Sequence, residues 1–338
     1  MHAFPMIRGT LMLAVALLLC PPAHAQLFRA YLAVNGNDAN PCTLPAPCRL
    51  LPAALNAVAD GGEIWMLDSA NYNTATVTIT KSVTILAVPG VQGSVVATGG
   101  NAITIATAGV KVALRGLVIV PLPGAAGVRG IEMTNGERLT LQDCLVSGMP
   151  SDGIRVAGAV RVRMTDTTVR DSSLSGLILE DGAMAAISRS SFLGNGFMGV
   201  WAVGNTAGTT TQADISDSMV TGNGLGGVRA QSNSATASVN VAVRDSSLVQ
   251  NYPQGGAAVS SGGPATLSIA NSLVSGNVEG VIASGTGARA WLSGNIVSGN
   301  STGFWNYGSG AVLESAGDNA MRNNGTDTTG TIGTVTKK

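Results

Sequence analysis

The stretch LSIANSLVSGNVEG, residues 267–280, alternates apolar and polar residues and then closes on Asn and Gly. Alternation of period two is the mark of a strand, and Asn, Asp and Gly at fixed offsets mark turns. The pattern recurs along the chain. With Val274 as anchor, equivalent apolar residues fall at Ile119, Val146, Val169, Phe192, Val220, Leu248, Val297 and Met321, at spacings of 27, 23, 23, 28, 28, 26, 23 and 24 residues. A repeat of that length is one turn of a solenoid, too long for a heptad and built with strand chemistry.

Residue types stay in column around each anchor. Five places before it stand Leu114, Leu141, Met164, Ile187, Ile215, Val243, Ile269 and Leu292, which point inward. Three before it runs a mostly polar column that includes Asp143, Asp166, Arg189, Asp217, Asp245 and Asn271; three after it come Asn195, Asn223, Asn251, Asn277, Asn300 and Asn324. Six or seven after most anchors a Gly opens a new strand, as at Gly153, Gly176, Gly199, Gly227, Gly280 and Gly303. Carboxylates in a row invite a calcium reading, but the Asn column carries no charge and its members lie one per coil. A side-chain ladder at Asn195, Asn223, Asn251, Asn277 and Asn300 is the expectation, and no metal or other cofactor is expected.

The run I-x-N-S-x-V-x-G-N-x-x-G-V resembles the repeat of the right-handed parallel β-helix, the pectate-lyase-like fold, over about residues 60–325. The resemblance implies an all-β solenoid of roughly eleven coils. It does not imply one activity, since that family spans lyases, hydrolases, epimerases, adhesins and passive surface proteins. The chain departs from its catalytic members: it has no paired Asp-Asp of the polygalacturonase type, no calcium cluster beside R-x-P-x-x-R, and no D-P-H-D of the alginate epimerases.

The ends read differently from the middle. Residues 1–25 form an export signal, with Arg8 as the positive region, an apolar run over 10–20, and Ala23-His24-Ala25 as the cleavage site. The expected destination is periplasmic or extracellular, with no membrane span after the signal is removed; the run is short for a span of about 20 residues. Both histidines, His2 and His24, leave with it, which excludes Ser/His/Asp and Cys/His nucleophilic schemes and His-containing metal sites. Losing Arg8 leaves 18 Lys and Arg against 19 acids, a net charge of −1, so total charge makes no case for nucleic acid.

Residues 26–60 are expected to cap the first coil, with an amphipathic helix over 49–59 ended by Asp60-Gly61-Gly62. Cys42 and Cys48 are expected to pair as a disulfide in an oxidising compartment, and Cys144 to be a packed thiol. The solenoid is assigned to 61–325 and a polar tail to 326–338; the oligomeric state is left open.

After each strand-opening Gly, alternation sends every second side chain outward. The outward series are Glu132, Arg155, Ile178, Trp201, Arg229, Ala258, Ile282, Trp305 and, two further on, Thr134, Ala157, Glu180, Val203, Gln231, Ser260, Ser284, Tyr307. Ala257 is taken as inward. Aromatic rings flanked by Arg and Glu suit a sugar chain, whose apolar ring face stacks while its hydroxyls hydrogen-bond. The competing reading has loops over 203–212 folding back to bury Trp201.

Residues 129–189 also concentrate charge, with seven Arg and eight acids. Arg155 and Glu180 are the candidate cation and base for a reaction at a uronic acid, although salt bridges between coils explain the same charges. The reading is a secreted, non-catalytic scaffold that binds a polysaccharide or cell-surface glycan through Glu132, Arg155, Glu180, Trp201, Arg229, Trp305 and Tyr307. The alternatives are a lyase or epimerase on uronic-acid chains, and a structural surface or envelope component.

Overall fold

The computed structural model describes residues 26–308 and 310–335. Residues 1–25, with the expected export signal and both histidines, lie outside the described residues. The described chain winds as one parallel β-solenoid of about eleven turns whose strands form three sheets. Sheet A has 13 strands, from Leu27–Leu32 to Ile332–Thr334; sheet B has 11 short strands, from Ala70–Asn71 to Ala320–Arg322; sheet C has 11, from Val77–Ile79 to Thr326–Thr329. A representative coil contributes Arg161–Thr165 to sheet A, Thr168–Arg170 to sheet B and Leu177–Glu180 to sheet C.

The core follows from register. In sheet A, Leu114, Leu141, Met164, Ile187, Ile215, Val243, Ile269 and Leu292 pair in succession across adjacent strands. All are buried. The anchors do the same in sheet B, from Ile119 to Met321. Stacking like on like, one strand spacing of about 4.8 Å apart, removes apolar surface from water along the whole axis.

The two polar columns have different jobs. Asp143, Asp166, Arg189, Asp217, Asp245 and Asn271 sit at the corner between sheets A and B with φ of +47° to +52°, the left-handed region that Asp and Asn tolerate better than most residues. Their column is backbone chemistry, not a ladder. The ladder stands one residue later: the N–H groups of Thr167, Ser190, Ser218 and Ser246 donate to the hydroxyls of Ser190, Ser218, Ser246 and Ser272 at 3.1–3.3 Å, and the series continues through Asn295 to Asn319. At the corner between sheets B and C, Asn195 Nδ2 donates to Asn223 Oδ1 at 3.0 Å, Asn223 to Asn251 at 2.8 Å, Asn277 to Asn300 at 3.0 Å and Asn300 to Asn324 at 3.0 Å. Asn251 Nδ2 spans the remaining step to Asn277 at 3.4 Å. These buried amides also bond backbone carbonyls, so burial costs them little.

Four details differ from expectation. The helix, α1, is Leu51–Ala57, and Val58 already opens the strand Val58–Met66, which runs through Asp60-Gly61-Gly62. The segment before α1 supplies strand Leu27–Leu32, paired parallel to Val58–Met66, and Thr326–Thr329 and Ile332–Thr334 carry sheets C and A past residue 325. Gly256 pairs with Val228 and Val281, so Ala257 joins the outward column of Arg229 and Ile282, while Ala258 turns inward. Val259 rather than Ser260 then stands outward beside Gln231 and Ser284. Consecutive glycines cause that one-residue slip, because Gly255 and not Gly256 is the strand-opening residue. Finally, Ile178, Val203 and Ile282, expected to face solvent, are buried.

Cys42 and Cys48 are disulfide-bonded, with Cα atoms 4.6 Å apart. The closed loop lies against Leu27–Leu32: Tyr31 N–H donates to the Cys42 carbonyl and Cys48 N–H to the Tyr31 carbonyl. α1 buries Leu51, Ala54 and Leu55 at the same end.

Candidate functional site

Sheet C places the predicted residues in adjacent strands. Glu132 pairs with Arg155, Arg155 with Ile178, Ile178 with Trp201 and Trp201 with Arg229; Glu180, one column over, neighbours Ala157 and Val203. Within this order the side chains separate into two groups.

The first is a chain of ion pairs. Arg155 Nη1 lies 3.0 Å from Glu132 Oε1, and Arg155 Nη2 lies 2.5 Å from Glu180 Oε2. Glu132 Oε1 also meets Arg129 Nη1 at 3.1 Å, and Arg129 Nε meets Asp152 Oδ2 at 3.1 Å. Asn101 Nδ2 donates to Glu132 Oε2 at 2.7 Å, and Asp152 Oδ1 accepts the Ser175 N–H at 3.1 Å. The side chains of Glu132, Arg155 and Glu180 retain 15–28% of their exposure, so these charges are only partly screened by water. Burial works against the Arg155 charge, but Glu180 and then Glu132 outweigh it and raise its pKa.

The second group runs from Trp201 to Tyr307. The Phe197 ring lies over Trp201, centroids 5.3 Å apart, and Trp201 is half-buried. Its Nε1 is buried without a protein partner, as are Arg229 Nε and Gln231 Oε1 on the neighbouring strand. Arg229 Nη2 donates to Gln254 Oε1 at 2.8 Å, and Gln254 Nε2 to Glu279 Oε2 at 2.9 Å. Tyr307 Oη donates to Glu279 Oε1 at 2.5 Å, while its ring stacks on Trp305 with centroids 4.1 Å apart. Burial lowers the Arg229 pKa against the pull of Glu279; burial and then the Glu279 bond raise that of Tyr307.

Asn101, Arg129, Asp152, Gln254 and Glu279 complete these groups although the outward columns did not include them. Gln254 and Glu279 were findable, because they pair in register two residues before the inward column. Asn101, Arg129 and Asp152 lie in turns entering sheet C, where alternation gives no guide. Cys144 Sγ lies 3.4 Å from the Leu114 carbonyl and 3.3 Å from that of Gln142, and burial pushes its thiol up to about 11. A thiol so protonated is a poor nucleophile. Among the described residues, no three His, Cys, Asp or Glu side chains are grouped to hold a metal, and no helix is long and apolar enough to cross a membrane.

Chemically, the face offers hydrogen-bonding amides, carboxylates and aromatic rings along one side of a rod. It offers no carboxylate or guanidinium of the first group that lacks a partner.

A family sequence model described as a right-handed β-helix region matches residues 129–301. No curated protein matches the chain. Among solved structures, the A-module of the mannuronan C-5 epimerase AlgE4 from Azotobacter vinelandii superposes with a TM-score of 0.58 at 12% identity, covering 82% of this chain and 91% of that one. XylC in complex with xylose gives 0.58 at 9%, covering 80% and 69%, and pectate lyase Pel9A gives 0.53 at 16%, covering 93% and 78%. At these identities the likeness is one of fold. With parallel coils stacked in register and the family pattern running through more than half of the chain, the protein belongs to the right-handed β-helix family.

Proposed function

We propose that the protein is an exported, non-catalytic glycan-binding scaffold that holds a polysaccharide against the outer face of sheet C. The observation that carries this reading is the double bridge at Arg155. Abstraction of a proton beside a carboxylate needs a cation free to neutralise the substrate and a base free to take the proton. Here Glu132 and Glu180 hold the cation between them. The stacked Trp305 and Tyr307 and the half-buried Trp201 offer aromatic faces on which a sugar ring can stack. The export sequence and the Cys42–Cys48 disulfide agree with an oxidising, extracytoplasmic destination.

Titration of acidic oligosaccharides against wild type and Trp201→Ala tests the reading. The variant is expected to bind at least about tenfold more weakly, some 1.4 kcal/mol, with its melting temperature nearly unchanged. A lower melting temperature with no glycan bound by wild type would make Trp201 a packing residue and remove the proposal. The alternative, a lyase or epimerase, rests on Arg155 and two carboxylates sharing one face. Absorbance rising near 235 nm on pectate or alginate, and lost in Arg155→Ala, would establish the lyase form.

A further inference from the structure

Sheet A carries a second charged face on the same coils, wired in the opposite way. Lys111, Arg138 and Arg161 lie in register on adjacent strands, and Arg163 stands two residues beyond Arg161. Arg115 occupies the strand of Lys111, four residues along, in register with Gln142. Arg115, Arg138, Arg161 and Arg163 are exposed, and none of their guanidinium groups has an ion pair or hydrogen bond within the described protein.

Two of the acids bordering this face are already paired. Glu137 meets Lys111 at 3.3 Å, and Asp166 takes Arg189 through two bonds of 2.8 and 2.7 Å. At the start of the same sheet, by contrast, Arg29 is held by Glu63 at 2.7 Å and lies 3.9 Å over the Trp65 ring. Like charges directly opposite one another on paired strands repel. The fold therefore gains nothing from Arg138 beside Arg161.

The four guanidiniums border a concavity of about 660 Å³, floored by Thr140 and Gln142 and closed on one side by the Asp166–Arg189 pair. Strands are about 4.8 Å apart and alternate residues on one strand about 6.7 Å apart, so the cations spread over three files, with Arg138 and Arg161 in one, Arg163 in the next and Arg115 in the third. A polyuronate presents one planar carboxylate per sugar. A chain esterified at more than one hydroxyl presents several tetrahedral oxyanions per sugar, spread across more than one file, and the planar Arg fork binds such oxygens in pairs.

We propose that this face of sheet A binds a polysaccharide bearing sulfate or phosphate esters, with Arg115, Arg138, Arg161 and Arg163 as the anion-holding residues. The site lies on a different sheet from the glycan face proposed above and does not depend on it.

The test measures binding of dextran sulfate and of dextran phosphate to the intact mature protein over a range of salt, with unmodified dextran, polygalacturonate and inorganic phosphate as comparison arms. Either esterified dextran is expected to bind, more weakly as salt rises, and the two arms separate sulfate from phosphate. Arg138→Gln/Arg161→Gln/Arg163→Gln is expected to lose about tenfold or more and to show a flatter salt dependence, with an unchanged melting temperature. The corresponding triple Lys variant, which keeps charge and loses the fork, is expected to fall between. Arg322→Gln, an exposed arginine on sheet B, is expected to bind the esterified dextrans as wild type does. Four results would each overturn the proposal: no binding of either esterified dextran; undiminished binding by the triple Gln variant; equal binding of polygalacturonate; or a loss in Arg322→Gln matching that of the triple Gln variant. Saturation by inorganic phosphate with no gain for the chains would likewise reduce the site to one for a free ion.

Discussion

The outer faces of sheets A and C draw on the same coils and much the same residue types, yet they handle charge in opposite ways. On sheet C, Arg129 and Arg155 are threaded between Asp152, Glu132 and Glu180, so that each cation is answered within the protein. On sheet A, Arg138, Arg161 and Arg163 come from the same stretch of chain and find no answer. A chain whose formal net charge is zero therefore carries one face on which Arg129 and Arg155 are paired with acids and another that is strongly basic. What separates them is position in the coil, which decides whether acid and base land on the same sheet and which no total can report.

The contrast rests on a common core, and the largest effect should come from breaking that core. Ile269→Asp places an unpaired charge between Val243 and Leu292 and is expected to cost about 4 kcal/mol in urea unfolding, disordering both faces together. Loss of one face alone would show that the coils are not a single cooperative unit. Next in size comes the difference between two arginines. Arg155→Ala strands the partly buried Glu180 carboxylate and takes one of two cations from Glu132, and is expected to cost about 2 kcal/mol, whereas Arg161→Ala removes a repulsion and should stay within about 0.5 kcal/mol of wild type. Equal costs would erase the distinction between the faces.

The smallest effect concerns the edge of the basic face. The Arg189 hydrogen bonds hold the Asp166 carboxyl below the usual carboxylate value. A depressed folded value means that the contribution is complete above the ordinary Asp pKa near 3.9 and fades as pH falls through the folded value. An NMR titration of that carboxyl should show a midpoint below the ordinary one, returning toward it in Arg189→Gln. A midpoint unchanged by that substitution would assign the shift to something other than this pair.

Much of this was legible in the sequence, for reasons that also define where legibility stopped. Nine anchors agreed because a solenoid repeats one local problem, so Ile215, Ile269 and Leu292 could be placed without coordinates. The meeting of Glu132, Arg155 and Glu180 followed from the same columns. Register failed at Gly255-Gly256, where neither residue has a side chain to declare a face. Outward position also failed as a proxy for exposure: Ile178 alternates outward yet is buried between the neighbouring Arg155 and Trp201 positions. The hydroxyl ladder went unread because Ser and Thr are common enough to look incidental, and Cys144 belongs to that column: its N–H lies 3.4 Å from the Thr167 hydroxyl. The basic face was hidden by counting Arg138, Arg161 and Arg163 with the acids of another sheet.

The two ladders have a mechanical meaning. In a solenoid the hydrogen bonds of all three sheets run along the axis, so a load pulling the chain ends apart is borne by one coil boundary at a time. Each boundary crossed by an Asn195-type amide and a Ser218-type hydroxyl adds side-chain bonds to the backbone bonds that must part together. A coil of 23 to 28 residues then releases roughly 75 to 100 Å of slack before the next boundary takes the strain. Such a rod yields by ratcheting, giving length in steps while the coils still wound keep their faces intact.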